Sequence, residues 1–281
     1  MTLQRPAVLL TLATTALLTV PVSADLTLTT TTSIEGGLTA GNGMTPKVVT
    51  KISGSKSRTD IDTGDQIVTT IIDTATNEAY LLRPDEKTAL RLSTDPAAPG
   101  ESGRTIETEV TPTGKTREID GVSCAEYAVT MKMDMAAMAA GGGSALPPEA
   151  AAMLKDVFVR IRGSAWVAKD APGASDYANF QKAAAKVAVS AMSRMSAGAP
   201  GSAPAPSVPS GMERLVTGFP EAPGIPYLTE LNTTVEGTSQ FVALLQGLAQ
   251  MKITSKVTTV SNDPIAPETF AIPEGYTIVK Q

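Results

Sequence analysis

The spacing of apolar residues along this chain changes period several times, and the changes mark out its elements. From 25 to 34, Leu26 and Leu28 alternate with Thr27 and Thr29, the two-residue period of a half-buried strand. Residues 48–61 predict one long strand, or two broken at Gly54, and 67–72 is a β-branched run. Shorter runs at 79–82 and 88–92 are linked across Arg83-Pro84-Asp85-Glu86, and 73–77 is turn-like. This rhythm of short strands and polar turns predicts an antiparallel meander. Weaker strands follow at 105–110 and 115–119, around Pro112 to Gly114, and another at 122–131. Residues 157–169 form the strongest strand. Val157, Val159, Ile161, Ala165 and Val167 fall on one face, and Arg160, Arg162, Ser164 and Trp166 on the other. A strand of this length suits a strongly curved sheet. Further strands are expected at 225–235 and 253–260.

The period switches to helical once clearly. Tyr177, Phe180, Ala184, Val187, Ala191 and Met195 recur at three- and four-residue steps, predicting a helix over 176–196. Ser175 is its expected N-cap, and Gly198 and Pro200 end it. One apolar stripe requires a sheet or groove to cover it. Residues 239–251 are ambiguous: Phe241, Leu244, Leu245, Leu248 and Met251 have helical spacing, and Gly247 opposes it. Pro/Gly-rich 95–103 predicts a loop, and the Ala-, Met- and Gly-rich segments near 134–154 and 197–211 predict flexible connectors.

The first 24 residues have a different character. Arg5 precedes an apolar stretch from Ala7 to Val20, and Val22-Ser23-Ala24 places small residues where a signal peptidase inspects them. A secretory signal cleaved after Ala24 is expected, leaving residues 25–281 as a single β-rich domain in the periplasm or the medium. No cysteine follows the apolar run, so lipid modification of the new N-terminus is not expected. Arg5 is the only charged residue removed, so the formal charge moves from −5 to −6. That acidity argues against nucleic acid as a partner and against charge-driven binding to anionic membranes. No later apolar run is long enough to span a bilayer.

Candidate chemistry is sparse. The chain has no histidine, which removes the His-based catalytic triads, the common zinc sites and the usual pH switch. Its single cysteine, Cys124, has no intramolecular partner for a disulfide and suits a small buried apolar position. Asp60 and Asp62 share a strand face and suit a solvated edge. Gly141-Gly142-Gly143-Ser144 lacks the Lys-Ser/Thr of a phosphate loop and suits a linker. Met131, Met133, Met135 and Met138 form a thioether cluster of the kind that can hold Cu(I), or that lines a core. Arg160 and Arg162 share a face with Trp166, as a cation–π pairing, a polar ligand contact or a solvated surface would have it.

Three segments carry a resemblance. Gly114-Lys115-Thr116, followed by Ile119-Asp120-Gly121-Val122-Ser123-Cys124-Ala125-Glu126-Tyr127, resembles a recurrent motif of an exported bacterial family filed as a domain of unknown function. Ala165-Trp166-Val167-Ala168-Lys169-Asp170 is similar to that family's tryptophan-valine strand end. Phe270-Ala271-Ile272-Pro273-Glu274-Gly275-Tyr276 is similar to its closing motif. The family is similar in architecture to the periplasmic carrier of outer-membrane lipoproteins. The resemblance implies a curved antiparallel sheet or half-barrel, mainly β, with a covering helix, for which 176–196 is suited. It supplies no catalytic residues. By their own chemistry, Gly121 suits a tight turn, Pro273 and Gly275 stop the last strand, and Phe270 and Ile272 anchor it.

The expected function is therefore non-catalytic binding of a lipid, acyl chain or other apolar ligand in the half-barrel, with a lipid or lipoprotein as partner and no cofactor. Val159, Ile161, Phe180, Val187 and Leu231 are the residues expected to face core or cavity. The alternatives are a Cu(I)-binding protein using the methionines, and an envelope structural or protein-interaction module whose core is filled by its own side chains.

Overall fold

The computed structural model describes residues 25–36, 45–92, 106–136, 152–197, 222–238, 242 and 250–280. The expected signal segment 1–24, the loop 95–103, Met138, Gly141 to Ser144 and the connector after Ala197 lie outside the described residues, as does most of 239–249.

The chain is mostly β. Six strands come first, β1 (Leu26–Gly36), β2 (Lys47–Ser53), β3 (Lys56–Asp62), β4 (Ile67–Asp73), β5 (Glu78–Arg83) and β6 (Thr88–Leu92). Then come β7 (Ile106–Ile119), β8 (Val122–Asp134) and β9 (Val157–Ala168), the helix α1 (Ala174–Ala197), β10 (Ile225–Gly237) and β11 (Met251–Ser261). A 3-10 turn (Pro267–Phe270) and β12 (Thr277–Lys280) close it. Among the described residues, twelve strands join one open sheet in the order β12-β6-β5-β4-β3-β2-β1-β11-β10-β9-β8-β7. β1 to β6 form one meander, β7 to β10 a second, and β11 joins them by pairing with β10 on one side and β1 on the other. Only β12, against β6, pairs parallel.

Chain length leaves a flat sheet almost no slack and favours a curved one. β6 and β7 are ten strand spacings apart, about 48 Å if the sheet were flat. Only 13 residues separate Leu92 from Ile106, and even fully stretched they reach roughly 50 Å. Bending the sheet brings the two ends within easy reach.

Local chemistry explains the turns. The β7–β8 hairpin turns on Asp120 and Gly121, both at positive φ (50° and 81°), the pattern of a type I′ turn. Within β7 the register shifts between Pro112 and Thr116. Pro112 cannot donate to the ladder, and the bulge absorbs it, so the two expected weak strands are one continuous strand. β8 runs three residues past its expected end at Met131.

α1 begins two residues early, so Ser175 is its second residue and not the N-cap; the Tyr177 amide bonds the Gly173 carbonyl at 2.9 Å. The helix lies against β4, β5, β6 and β10. Phe180 and Ala184 join Leu26, Leu28 and Ile52 in one buried cluster, and Val187 packs with Ala79 and Leu92 in another.

The C-terminal segment crosses the opposite face. Ile272 and Tyr276 pack on Ile71, Leu82 and Ala89, and Phe270 is buried. Asp25 holds the start of this segment: its carboxylate accepts the Ile265 amide at 2.6 Å, and its carbonyl accepts the Asn262 side-chain amide at 3.0 Å. Phe270 and Ile272 are thus anchors, but Pro273 and Gly275 do not end the last strand. β12 follows them.

Candidate ligand-binding face

Residues paired across strands share a face, so the register sorts the side chains. One rung crosses β1 to β6 as Leu26, Ile52, Ser57, Ile72, Ala79 and Leu92, and its neighbour as Leu28, Thr50, Thr59, Thr70, Leu81 and Leu90. On the same face of β1, a rung runs from Thr32 through Ser255, Thr229 and Ala165 to Tyr127. The next is Ile34, Ile253, Leu231, Gly163, Val129 and Val110. Beyond it come Gly36, Met251, Thr233, Ile161, Met131 and Thr108. No residue on these rungs carries a charge. This is the face that α1 packs on.

The other face is charged. Arg160 and Arg162 both pair with Glu236, at 2.8 and 3.2 Å, and Arg58 pairs with Asp60 at 3.0 Å. Lys132 stacks on Phe158 and Arg117 on Trp166, each 4.1 Å from the ring centroid. The cation on Trp166 is therefore Arg117 from β7, and not the sequence neighbours Arg160 or Arg162. Asp60 lies on an interior strand, where it also accepts the Thr69 hydroxyl at 2.6 Å, so the expected solvated edge is replaced by an ion pair.

Of the five residues expected to line a cavity, the structure brings three together. Val159, Ile161 and Leu231 lie on adjacent rungs of β9 and β10, part-buried and packed against a cluster containing Val129, Met131 and Met133. Phe180 and Val187 sit on α1 and pack farther along the same face, against β1–β2 and β5–β6 respectively. Met131 is fully buried and Met133 nearly so, among valine, alanine and isoleucine side chains. Met135 packs beyond them, against Val157, Val235 and Val242.

Cys124 is buried, 1% exposed, in the apolar cluster that also holds Trp166, Ile225 and Tyr227, and its thiol donates to the Val122 carbonyl at 3.5 Å. Burial pushes the thiol pKa up, against an opposing pull from Arg117. A thiol held protonated is a poor nucleophile and a poor metal ligand. Among the described residues, no cluster of histidine, cysteine, aspartate and glutamate could hold a metal ion, and no helix is long and apolar enough to cross a membrane.

A cleft of about 770 Å³ opens elsewhere, between the β3–β4 and β5–β6 turns, lined in part by Asp62, Asp65, Asp85 and the ion pair of Arg83 with Glu86 at 3.5 Å. Val68 and Leu81, from the charge-free face, reach its wall, so it sits at one rim of that face. None of the five expected residues lines it. Reading single strands also missed Gly163, Arg117 and the hydroxyl rungs. Their signal is cross-strand register, which exists only after pairing.

No family model matches the chain, and no curated protein matches it. Among solved structures it is similar to PNGF-II in C2 and P21 crystal forms, at 12% and 11% identity and a TM-score of 0.36 in both. Those matches cover 92% of this chain but only 31% and 32% of PNGF-II, so the chain spans about a third of that protein's length. A LolA superfamily protein from Nitrosomonas europaea is distantly similar, at 6% identity and a TM-score of 0.29 over 89% of this chain and 90% of that one.

Proposed function

We propose that this protein is a non-catalytic carrier of an apolar ligand, a lipid or acyl chain, exported to the periplasm or the medium by its first 24 residues. One observation supports the reading above others: a sheet face whose central rungs carry no charge across eleven strands, with Arg83 and Glu118 only at its ends, backed by a face of ion pairs. Single exposed apolar residues are ordinary, but a continuous apolar face is a binding surface or a core. Here Val159, Ile161, Leu231 and Ile253 stay part-exposed on it. Sheet curvature gives the face a hollow, α1 acts as its lid, and an acyl chain along β9 meets Val159, Ile161, Ala165 and Val167, with Leu231 of β10 beside them. The protonated, buried Cys124 and the absence of histidine fit a binding role without bond-making chemistry.

The test is native mass spectrometry of protein purified from a bacterial periplasm, with extraction of any bound lipid. The expected result is an added acyl or lipid mass that Ile161→Trp or Leu231→Trp removes, with the melting transition retained. A bare polypeptide mass, unchanged after incubation with lipids, overturns the proposal in favour of a structural module with a filled core.

A further inference from the structure

The charge-free face is not uniformly apolar, and its exceptions are ordered. Thr50, Thr59 and Thr70 sit side by side on β2, β3 and β4. Thr32, Ser255 and Thr229 do the same on β1, β11 and β10. Each hydroxyl triplet lies between largely apolar rungs, in which Ser57 and Thr30 are the hydroxyl exceptions. Ile52 and Ile72 are on one side of the first, with Val48, Ile61 and Val68 on the other. Val257 lies on one side of the second, with Ile34, Ile253 and Leu231 on the other. Together the triplets span six adjacent strands, about 24 Å, as two patches whose rungs meet β1 at Leu28 and Thr32, a step of about 13 Å along that strand.

All six residues are part-exposed. Thr32 and Ser255 hydrogen-bond each other at 2.7 Å, and Thr50 and Thr59 are 3.4 Å apart. Thr70 and Thr229 make no side-chain hydrogen bond among the described residues, so each has a donor and an acceptor to offer. A purely apolar ligand lying across either patch would desolvate these hydroxyls without replacing their hydrogen bonds, which opposes binding. A ligand that carries uncharged acceptors between its apolar parts would satisfy them.

Charge narrows the ligand further. With no cation on these rungs a buried anionic head has no free partner: Arg83 at the rim is paired with Glu86 at 3.5 Å beside Asp62, Asp65 and Asp85, and Lys169 is stacked on Tyr127. With no anion on the rungs, a cationic head drawn into either patch is likewise unpaired. Resting on the carrier reading, we infer that the ligand is a neutral, ester-linked lipid, seated with its ester groups on the Thr50-Thr59-Thr70 patch and its chains on the apolar residues that flank it.

The test compares a diacylglycerol with the dialkyl ether of identical chain length, by equilibrium binding to the purified full chain. The ester lipid is expected to bind about tenfold more tightly, the effect of one or two hydrogen bonds to otherwise unpaired hydroxyls. The near-isosteric double substitution Thr59→Val with Thr70→Val should bring the two lipids within about twofold of each other, with ether binding no weaker. Thr59→Ser with Thr70→Ser should restore the preference, which separates loss of hydroxyls from misfolding. Equal binding of both lipids by the unsubstituted protein overturns the inference, as does an ester preference that survives the valine pair. Tighter binding of a free fatty acid or an alkylamine of the same chain length overturns it too. If no lipid binds, the carrier reading itself fails.

Discussion

At Gly163 a side chain has nowhere to go. A Cβ built there would lie 1.8 Å from the Glu230 carbonyl oxygen, backbone that cannot swing aside. Glycine thus lets β9 and β10 approach closely between Val129 and Leu231, in the middle of the proposed binding face. Gly163→Ala is expected to destabilise the protein by roughly 2–3 kcal/mol through forced separation of the two strands, measurable by urea denaturation. An unchanged midpoint would mean the strands part at little cost. Nothing in the sequence around Gly163 announces this, because the obstacle belongs to a strand 67 positions later. The same holds for the hydroxyl patch. Its strands were legible as strands, but Thr50, Thr59 and Thr70 become neighbours only through the registers of two hairpins. Val159 and Ile161 were legible as one face of β9 because alternation is local.

Elements were the most legible level. The first six strands stand within a residue or two of their expected positions, since alternation and turn chemistry agree there. Failures came where one signal overrode another. Pro112 argued for a break, and a bulge carries β7 through it. Pro273 and Gly275 argued for an ending, and four exposed residues then add β12 to the sheet edge. α1 was visible from its stripe, but its partner strands were not. Phe180 is its chief anchor, buried beside Leu26 and Ile52. Phe180→Ala should cost about 3 kcal/mol of stability and lower the thermal midpoint, because β1 and β2 cannot collapse onto the space it leaves. If the substitution instead left stability intact, α1 would be loosely attached.

At the scale of the molecule, the two meanders are held in one sheet by β11. Thr32 and Ser255, which share a hydrogen bond across the β1–β11 pairing, are 223 residues apart in sequence. A chain ending at residue 250 would lack β11 and leave β1 and β10 as bare edges. It is expected to lose its cooperative melting transition by circular dichroism and to aggregate, as exposed edges do. A sharp transition in that truncated chain would show the first meander and its helix to be self-sufficient. The pairing also sets a clock. Contacts so distant in sequence form slowly, because a very long loop must close before they are rewarded. A chain emerging N-terminus first carries β1 without its β11 partner until nearly all of its length has been made. If this protein is threaded through a narrow channel in the inner membrane, its own topology keeps the sheet incomplete, and the chain pliable, until the passage is almost over.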